Sequence, residues 1–274
     1  MTVVNMLLII GYSALFLLFY LIIAFIVGTI KKNNGIMDIF YGPGYSVVAL
    51  TSVIYYFILN NAVNIRQIVV TILVIIWSIR LASYVFIRNR GKPEDYRYKA
   101  MRERWKTNIT FKSLIRVYLF QGIVIFIVAF PVCFVNMSLN PVLVSGLDFF
   151  GFTLWIGIIV WLIGFLFETF GDYQLYKFKQ DPTNKGKVLD QGLWKYTQHP
   201  NYFGEVTQWW GIYIIALAVP FGFISIFGPI FITYMIIKVS GIRLLDKHYK
   251  GDDIYADYKR RTSLFFPWFP KKIK

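Results

Sequence analysis

Five stretches of the chain contain no Asp, Glu, Lys or Arg: the residues before Lys31, then 39–65, 117–147, 149–167 and 206–237. A helix needs about 20 predominantly apolar residues to cross bilayer hydrocarbon, and these blocks are of about that length or longer. With 57% hydrophobic and 19% aromatic residues and a mean hydropathy of +0.55, the chain is too apolar for a soluble domain of its size. The fold class read from the sequence is therefore all-α: a polytopic integral membrane protein. The first block lacks a basic start and a small-residue cleavage site, so it is read as a span and not as a cleaved signal peptide.

About seven spans fit the pattern, at 6–30, 43–60, 67–88, 114–137, 149–170, 201–219 and 221–239. The last two are separated only by the Pro220-Phe221-Gly222 break and are expected to form a tight helical hairpin. Of 29 Lys and Arg, all but Arg66 and Arg80 fall in, or near the ends of, the segments after spans one, three, five and seven. The positive-inside rule makes those segments cytoplasmic, with the N-terminus outside and the C-terminus inside. The net charge of +15 is thus concentrated on one face. That face is either topology with attraction to anionic headgroups, or a pocket for a polyanionic cofactor. Cys133, the single cysteine, lies in an apolar run, and with only His199 and His248 beside it no metal centre is expected.

The densest polar segment is Gly192–Glu205, GLWKYTQHPNYFGE, immediately before an uncharged run. Pro200 is placed to start a helix, with Asn201 in its first turn, where free backbone N–H groups favour an anion. Tyr196, His199, Tyr202 and Glu205 complete the candidate cluster. Glu168 and Asp172 lie four residues apart at the inner end of span five. On a continuing helix Asp172, Tyr176 and Lys179 share a face. Acids at a helix C-terminus oppose its dipole, which suits them to bind ribose hydroxyls or to pair with arginine.

Arg80 sits about 12 Å below the end of span three, one turn from Tyr84. At that depth it either snorkels or lines a polar cavity. The segment Arg88–Lys112 is an interfacial amphipathic helix or a grip for phosphates and an adenine face. The basic, aromatic tail either lies on the membrane or closes Arg243, His248, Tyr249, Tyr255 and Tyr258 over a pocket.

These residues resemble the membrane-bound steroid 5-alpha-reductase superfamily, in particular bacterial members of unassigned substrate. The likeness rests on Asp172 with Lys179, on GLWxYxxxPNYFGE (Gly192 to Glu205), on SGxR (Ser240 to Arg243) and on the tyrosine-rich stretch from Tyr255 to Pro267. Weaker echoes are the turn Asn89-Arg90-Gly91-Lys92-Pro93 and DxxYGPG, Asp38 to Gly44. The resemblance implies one membrane domain over 1–274. Helices within 1–140 would form a lipid-side substrate cavity, and 149–274 would bind NADPH at a cytoplasm-facing opening. It puts Asn89, Arg90, Asp172, Lys179, Asn201, Glu205 and Arg243 on cofactor-contacting positions; Arg80, Tyr196, His199, Tyr202, Tyr255 and Tyr258 join them by location.

The implied reaction is hydride transfer to the activated C=C of an enone, of the 3-oxo-5-alpha-steroid 4-dehydrogenase type. A hydrogen-bond donor would polarise the carbonyl. The family's glutamine-glutamate-leucine motif is not visible, and Asp38 and Tyr84 stand as catalytic candidates in its place. The expected partners are a hydrophobic lipid or steroid-like substrate and membrane lipids, with no nucleic acid, in a monomer of the bacterial inner membrane.

Two other readings stay open. Gln198-His199-Pro200-Asn201-Tyr202 also resembles the turn of S-adenosylmethionine-dependent membrane methyltransferases of the isoprenylcysteine and phospholipid type. Those enzymes carry a Glu-Glu pair where this chain reads RLLDKHY. The third reading is a non-catalytic lipid-binding protein.

Overall fold

The structure, a computed structural model, describes residues 3–138, 149–249 and 251–271. Helices account for all regular structure among them: α1 (Val3–Ile30), α2 (Ile36–Asn60), α3 (Ile65–Asn89), α4 (Tyr96–Trp105) and α5 (Ile109–Val128). They are followed by α6 (Phe130–Asn136), α7 (Phe149–Gln180), α8 (Pro200–Ala216) and α9 (Phe227–Tyr234). The last two are α10 (Ile242–His248) and α11 (Asp253–Arg261). A 3₁₀ turn at Gly222–Ile226 leads into α9 and a π turn at Met235–Ser240 leads out of it.

Six helical runs among the described residues are long and apolar enough to cross a membrane: α1, α2, α3, α5, α7 and the run Gly222–Asp246. The expected sixth span is α8, which has 17 residues and so rises about 26 Å. Two boundaries differ from the sequence reading. Helix α2 begins at Ile36 and carries Pro43 within it, where the sequence suggested a start. The fourth block breaks at Ala129 into α5 and α6, next to Pro131. Helix α7 continues to Gln180, so Asp172, Tyr176 and Lys179 lie on one helix, as expected.

The chain divides into two compact units. The first comprises Met1–Leu154 and Ile215–Gly228. Here α2 packs against α1 and α3. Gly42 and Gly44, flanking Pro43, permit close approach: a Cβ at Gly42 would lie 3.0 Å from the Ser78 carbonyl oxygen, and one at Gly44 would lie 2.7 Å from Ile125 Cδ1. Helix α3 starts in a capping box, with Asn64 Oδ1 accepting from Gln67 N–H at 3.1 Å and Gln67 Oε1 from Asn64 N–H at 2.8 Å. The same Gln67 donates to the Asn136 carbonyl at 2.9 Å, while Asn136 Nδ2 donates to Ser52 Oγ at 2.8 Å. This buried polar network ties α2, α3 and α6 together, as burying amides in an apolar core requires.

The second unit comprises Trp155–Ile214 and Pro229–Lys274. Its core is the antiparallel pair α7–α8. Gly157, Gly164 and Gly171 repeat every seven residues on α7, as do Gly204 and Gly211 on α8. Seven residues is nearly two full helical turns, so each set lines one face. A Cβ on Gly164 would meet Gly204 O at 2.6 Å, and one on Gly211 would meet Gly157 O at 2.7 Å. The two backbones are therefore in direct contact, which is how small residues bring membrane helices together. At that spacing the polar groups of the two helices reach each other.

Candidate functional site

In the second unit the segment Gly192–Gln198 leads up to α8. Gly192 has φ +59 and its Cβ position is filled by the Gln174 side chain, so glycine is required there. Gln174 Oε1 accepts from Leu193 N–H at 3.0 Å, and Trp194 Nε1–H donates to the Gly171 carbonyl at 3.1 Å. On the other side the tail is bound to the same segment. Thr197 Oγ donates to Phe265 O at 2.8 Å, Gln198 Nε2 to Thr262 O at 2.7 Å, and Tyr258 OH to Trp194 O at 2.6 Å. Trp194, Thr197 and Gln198 thus join helix α7 to the C-terminal stretch.

Two further polar pairs link α7 and α8. Asn201 Nδ2 donates to Asp172 Oδ1 at 3.0 Å, and Gln208 Nε2 donates to Glu168 Oε2 at 2.6 Å. Asp172, Glu168 and Gln208 are buried and Asn201 is partly so. Each carboxylate placed in an apolar helix pair is therefore met by an amide donor.

A cavity of about 470 Å³ opens between the end of α7, the loop 181–189, the Trp194–His199 segment, α10 and α11. Lys179, Lys185 and Lys187 lie on its wall, and Tyr249, Tyr255 and His199 are also in the lining. The Tyr249 and Tyr255 rings stack, with centroids 4.7 Å apart. His199 is 2% exposed, and neither of its ring nitrogens has a hydrogen-bond partner among the described residues. One face of the imidazole stacks on Tyr202, 5.4 Å between centroids. Burial pulls its pKa from 6.5 down to about 4, with Asp246 opposing and Lys259 adding to the shift. At neutral pH the ring is uncharged and offers one donor and one acceptor.

Of the residues anticipated from sequence, Lys179, His199, Tyr249, Tyr255 and Tyr258 line this cavity. The Tyr258 hydroxyl is committed to Trp194, and burial raises its pKa first of all, so its role is to hold the wall. Tyr255 OH reaches Asp246 Oδ1 at 3.4 Å, and Asp246 is bridged by Lys259 at 2.7 Å. Asp172 and Asn201 are paired with each other, and Glu205 is half-buried one turn further along α8. Tyr196 and Arg243 are exposed, the Tyr196 ring resting on Phe269. The His248 side chain lies outside the described ones. The loop residues Lys185 and Lys187 were not singled out from sequence. Their signal was the turn-forming Asp181-Pro182-Thr183-Asn184, where Asp181 Oδ1 caps Thr183 N–H at 2.9 Å.

In the first unit Asn89 and Arg90 line a cavity of about 380 Å³ with Asn33, Lys92 and Asp95. Gly91, φ +72, makes the turn. Asp38 accepts from Tyr98 OH at 2.5 Å and from Arg97 at 3.1 Å. Burial, and next the Asp38 charge, hold the Tyr98 hydroxyl well above its usual pKa. Asp95 caps α4 and binds Arg97 at 2.9 Å, and Glu94 holds Arg102 and the Asn34 N–H. The Tyr84 ring lies between two guanidiniums, Arg80 and Arg88, each 5.6 Å from its centroid.

A model of the family described as "Protein of unknown function (DUF1295)" matches residues 24–262. The chain is also similar to an uncharacterized protein, C9.08c, of Schizosaccharomyces pombe, at 34% identity over 77 residues. That stretch takes in 23% of this chain and 27% of the relative, so it spans well under half of the relative's length. No solved structure matches.

Proposed function

The chain belongs to this family of unknown function (DUF1295), and we propose that it is an NADPH-dependent membrane reductase acting on the activated C=C of a steroid-like or other lipid enone. The observation that carries the proposal is His199: a buried neutral imidazole with both nitrogens unpartnered among the described residues, on the wall of a lysine-lined cavity. Ligand cavities of roughly 300–1,000 Å³ with a few convergent polar groups are the usual form of small-molecule sites.

The residues present fit a phosphorylated dinucleotide. Lys179, Lys185 and Lys187 would hold phosphate charge, the Tyr249–Tyr255 stack offers ring faces, and His199 offers a donor and an acceptor. NADPH, when bound, supplies a hydride for the β-carbon of the enone. The chain's own task is then to polarise the carbonyl and deliver a proton to the α-carbon. Asp38 is an acceptor already engaged by Tyr98 and Arg97, which suits it to orient groups. Tyr84, whose ring carries two guanidiniums and whose hydroxyl can donate, is the better donor of the two candidates. We place the lysine-lined cavity on the cytoplasmic side, following the charge bias of the loops.

The test is titration of the detergent-purified chain with NADPH, NADH and S-adenosylmethionine. NADPH is expected to bind saturably and more tightly than NADH, and to weaken with added salt and in His199→Ala and Lys179→Ala. Saturable S-adenosylmethionine binding without NADPH binding would instead support a methyltransferase. Binding of none of the three would leave a lipid-binding protein.

A further inference from the structure

The C-terminal stretch after α11 combines features that the cofactor cavity does not use. Phe266, Trp268 and Phe269 are 71%, 71% and 76% exposed, although the main chain carrying them is firmly held. Trp268 N–H donates to Tyr196 O at 2.9 Å and Lys271 N–H to Arg261 O at 2.9 Å. Three large rings are thus displayed outward on ordered backbone, which is expensive if they meet only water.

Their height along the membrane normal follows from the chain. Tyr196–Gln198, to which the tail is bonded, stand two to four residues before Pro200, the first residue of α8. The rings therefore lie level with a span end, where tryptophan and tyrosine gather at headgroup depth. Beside them is a separate cavity of about 510 Å³, walled by Lys259, Arg260, Arg261 and Lys271, with Asp246 as a lining carboxylate. Arg260 and Arg261 share Asp257 at 3.0 and 2.8 Å, Arg261 also reaches Asp190 at 3.7 Å, and Lys259 is bridged to Asp246, so three acids stand against four cations. Lys271 has no ion-pair partner among the described residues. Cations exceed anions at this wall, so the complementary occupant is negative.

We propose that this surface docks the phosphate headgroup of an anionic membrane lipid. Lys259, Arg260, Arg261 and Lys271 surround the phosphate, while Phe266, Trp268 and Phe269 enter the adjoining acyl boundary. Aromatic rings supply the apolar anchor and the cations supply headgroup selectivity, the combination found in interfacial segments that favour anionic lipid. A bound lipid would also fix the tail whose main chain carries Gln198 and Thr197.

The full chain, purified in neutral detergent, is titrated with dihexanoyl phosphatidylglycerol, dihexanoyl phosphatidylcholine and glycerol 3-phosphate, with binding read by native mass spectrometry. Phosphatidylglycerol is expected to bind saturably and at least about tenfold more tightly than phosphatidylcholine. Each surface cation near anionic lipid contributes a factor of about five, so Arg260→Ala with Lys271→Ala should weaken it about 25-fold. Trp268→Ala should weaken both lipids. Equal binding of the two lipids, or an unchanged affinity in the double variant, would overturn the proposal. Glycerol 3-phosphate binding as tightly as the lipid would overturn it too, by making this a soluble-phosphate site. If the double variant melts early without lipid, Lys271→Glu and Lys271→Arg replace it. Loss in the first with retention in the second supports the proposal, and equal affinity in both sinks it.

Discussion

Asn201 Nδ2 donates a hydrogen bond of 3.0 Å to Asp172 Oδ1, joining the first turn of α8 to the polar end of α7. The contact exists because Gly171 lets the helices approach: a Cβ there would stand 3.0 Å from the Asn201 backbone nitrogen. Two residues 29 positions apart are thereby joined, Asn201 standing two residues after His199. A carboxylate at this position is tolerated because it has a donor.

Removing that donor takes a charge-assisted hydrogen bond from a buried acid. Asn201→Ala is expected to lower stability by about 1.5–3 kcal/mol, the worth of a hydrogen bond to a charged group. Adding Asp172→Asn should cost less than the sum of the two single changes, since the pair acts together. Thermal unfolding in detergent of the two single variants and the double variant measures this; full additivity would show the pair to be uncoupled.

His199 links stability to pH. Its folded pKa of about 4 lies below the unfolded value of 6.5, so the unfolded chain binds more protons between those limits. The neutral imidazole's contribution is complete above pH 6.5 and is lost as pH falls towards 4. At about 1.4 kcal/mol per unit the loss is about 3 kcal/mol over this window. Unfolding midpoints of the native chain and His199→Gln, scanned across pH 7 to 4, should converge as pH falls. Parallel profiles would contradict a buried neutral ring.

The α7–α8 contact is intolerant of volume. In Gly204→Ala the new methyl would collide with the Glu168 backbone nitrogen and come within 2.5 Å of Gly164 O, neither of which can rotate away. A loss of about 1–3 kcal/mol is expected, with separation of the helix pair. Gly11→Ala has nothing within 4 Å and should stay within about 0.5 kcal/mol of the native chain. Comparing the two by thermal unfolding distinguishes close packing from a general glycine effect.

Tyr98→Phe deletes the hydroxyl that donates to Asp38 while keeping the buried ring. Asp38 retains Arg97, so the expected loss is about 1–2 kcal/mol, and Arg97→Ala should cost more. Unfolding that is unaffected by either change would show that Asp38 does not depend on α4.

The helical, membrane-spanning character of the chain was legible without coordinates. Uncharged length and hydropathy are properties of a string, and lipid penalises any other use of such blocks. The polar cluster around His199 was legible for the same reason, since charge or amide beside an apolar run stands out. Its internal division was not. Trp194, Thr197 and Gln198 read like His199 and Asn201, yet their side-chain donors are spent on Gly171, Phe265 and Thr262. Only tertiary structure shows which partners lie within about 3 Å, because those partners come from 23 to 68 residues away.

The pairing of Glu168 with Gln208 and of Asp172 with Asn201 belongs to the same class. It depends on the seven-residue glycine registers of two helices meeting in phase, and each register alone is compatible with many partners. Sequence by itself therefore determined what crosses the membrane and where polar groups accumulate. Tertiary structure decided which of them are satisfied, and so which remain to meet a ligand, because satisfaction is a distance between residues remote in the chain.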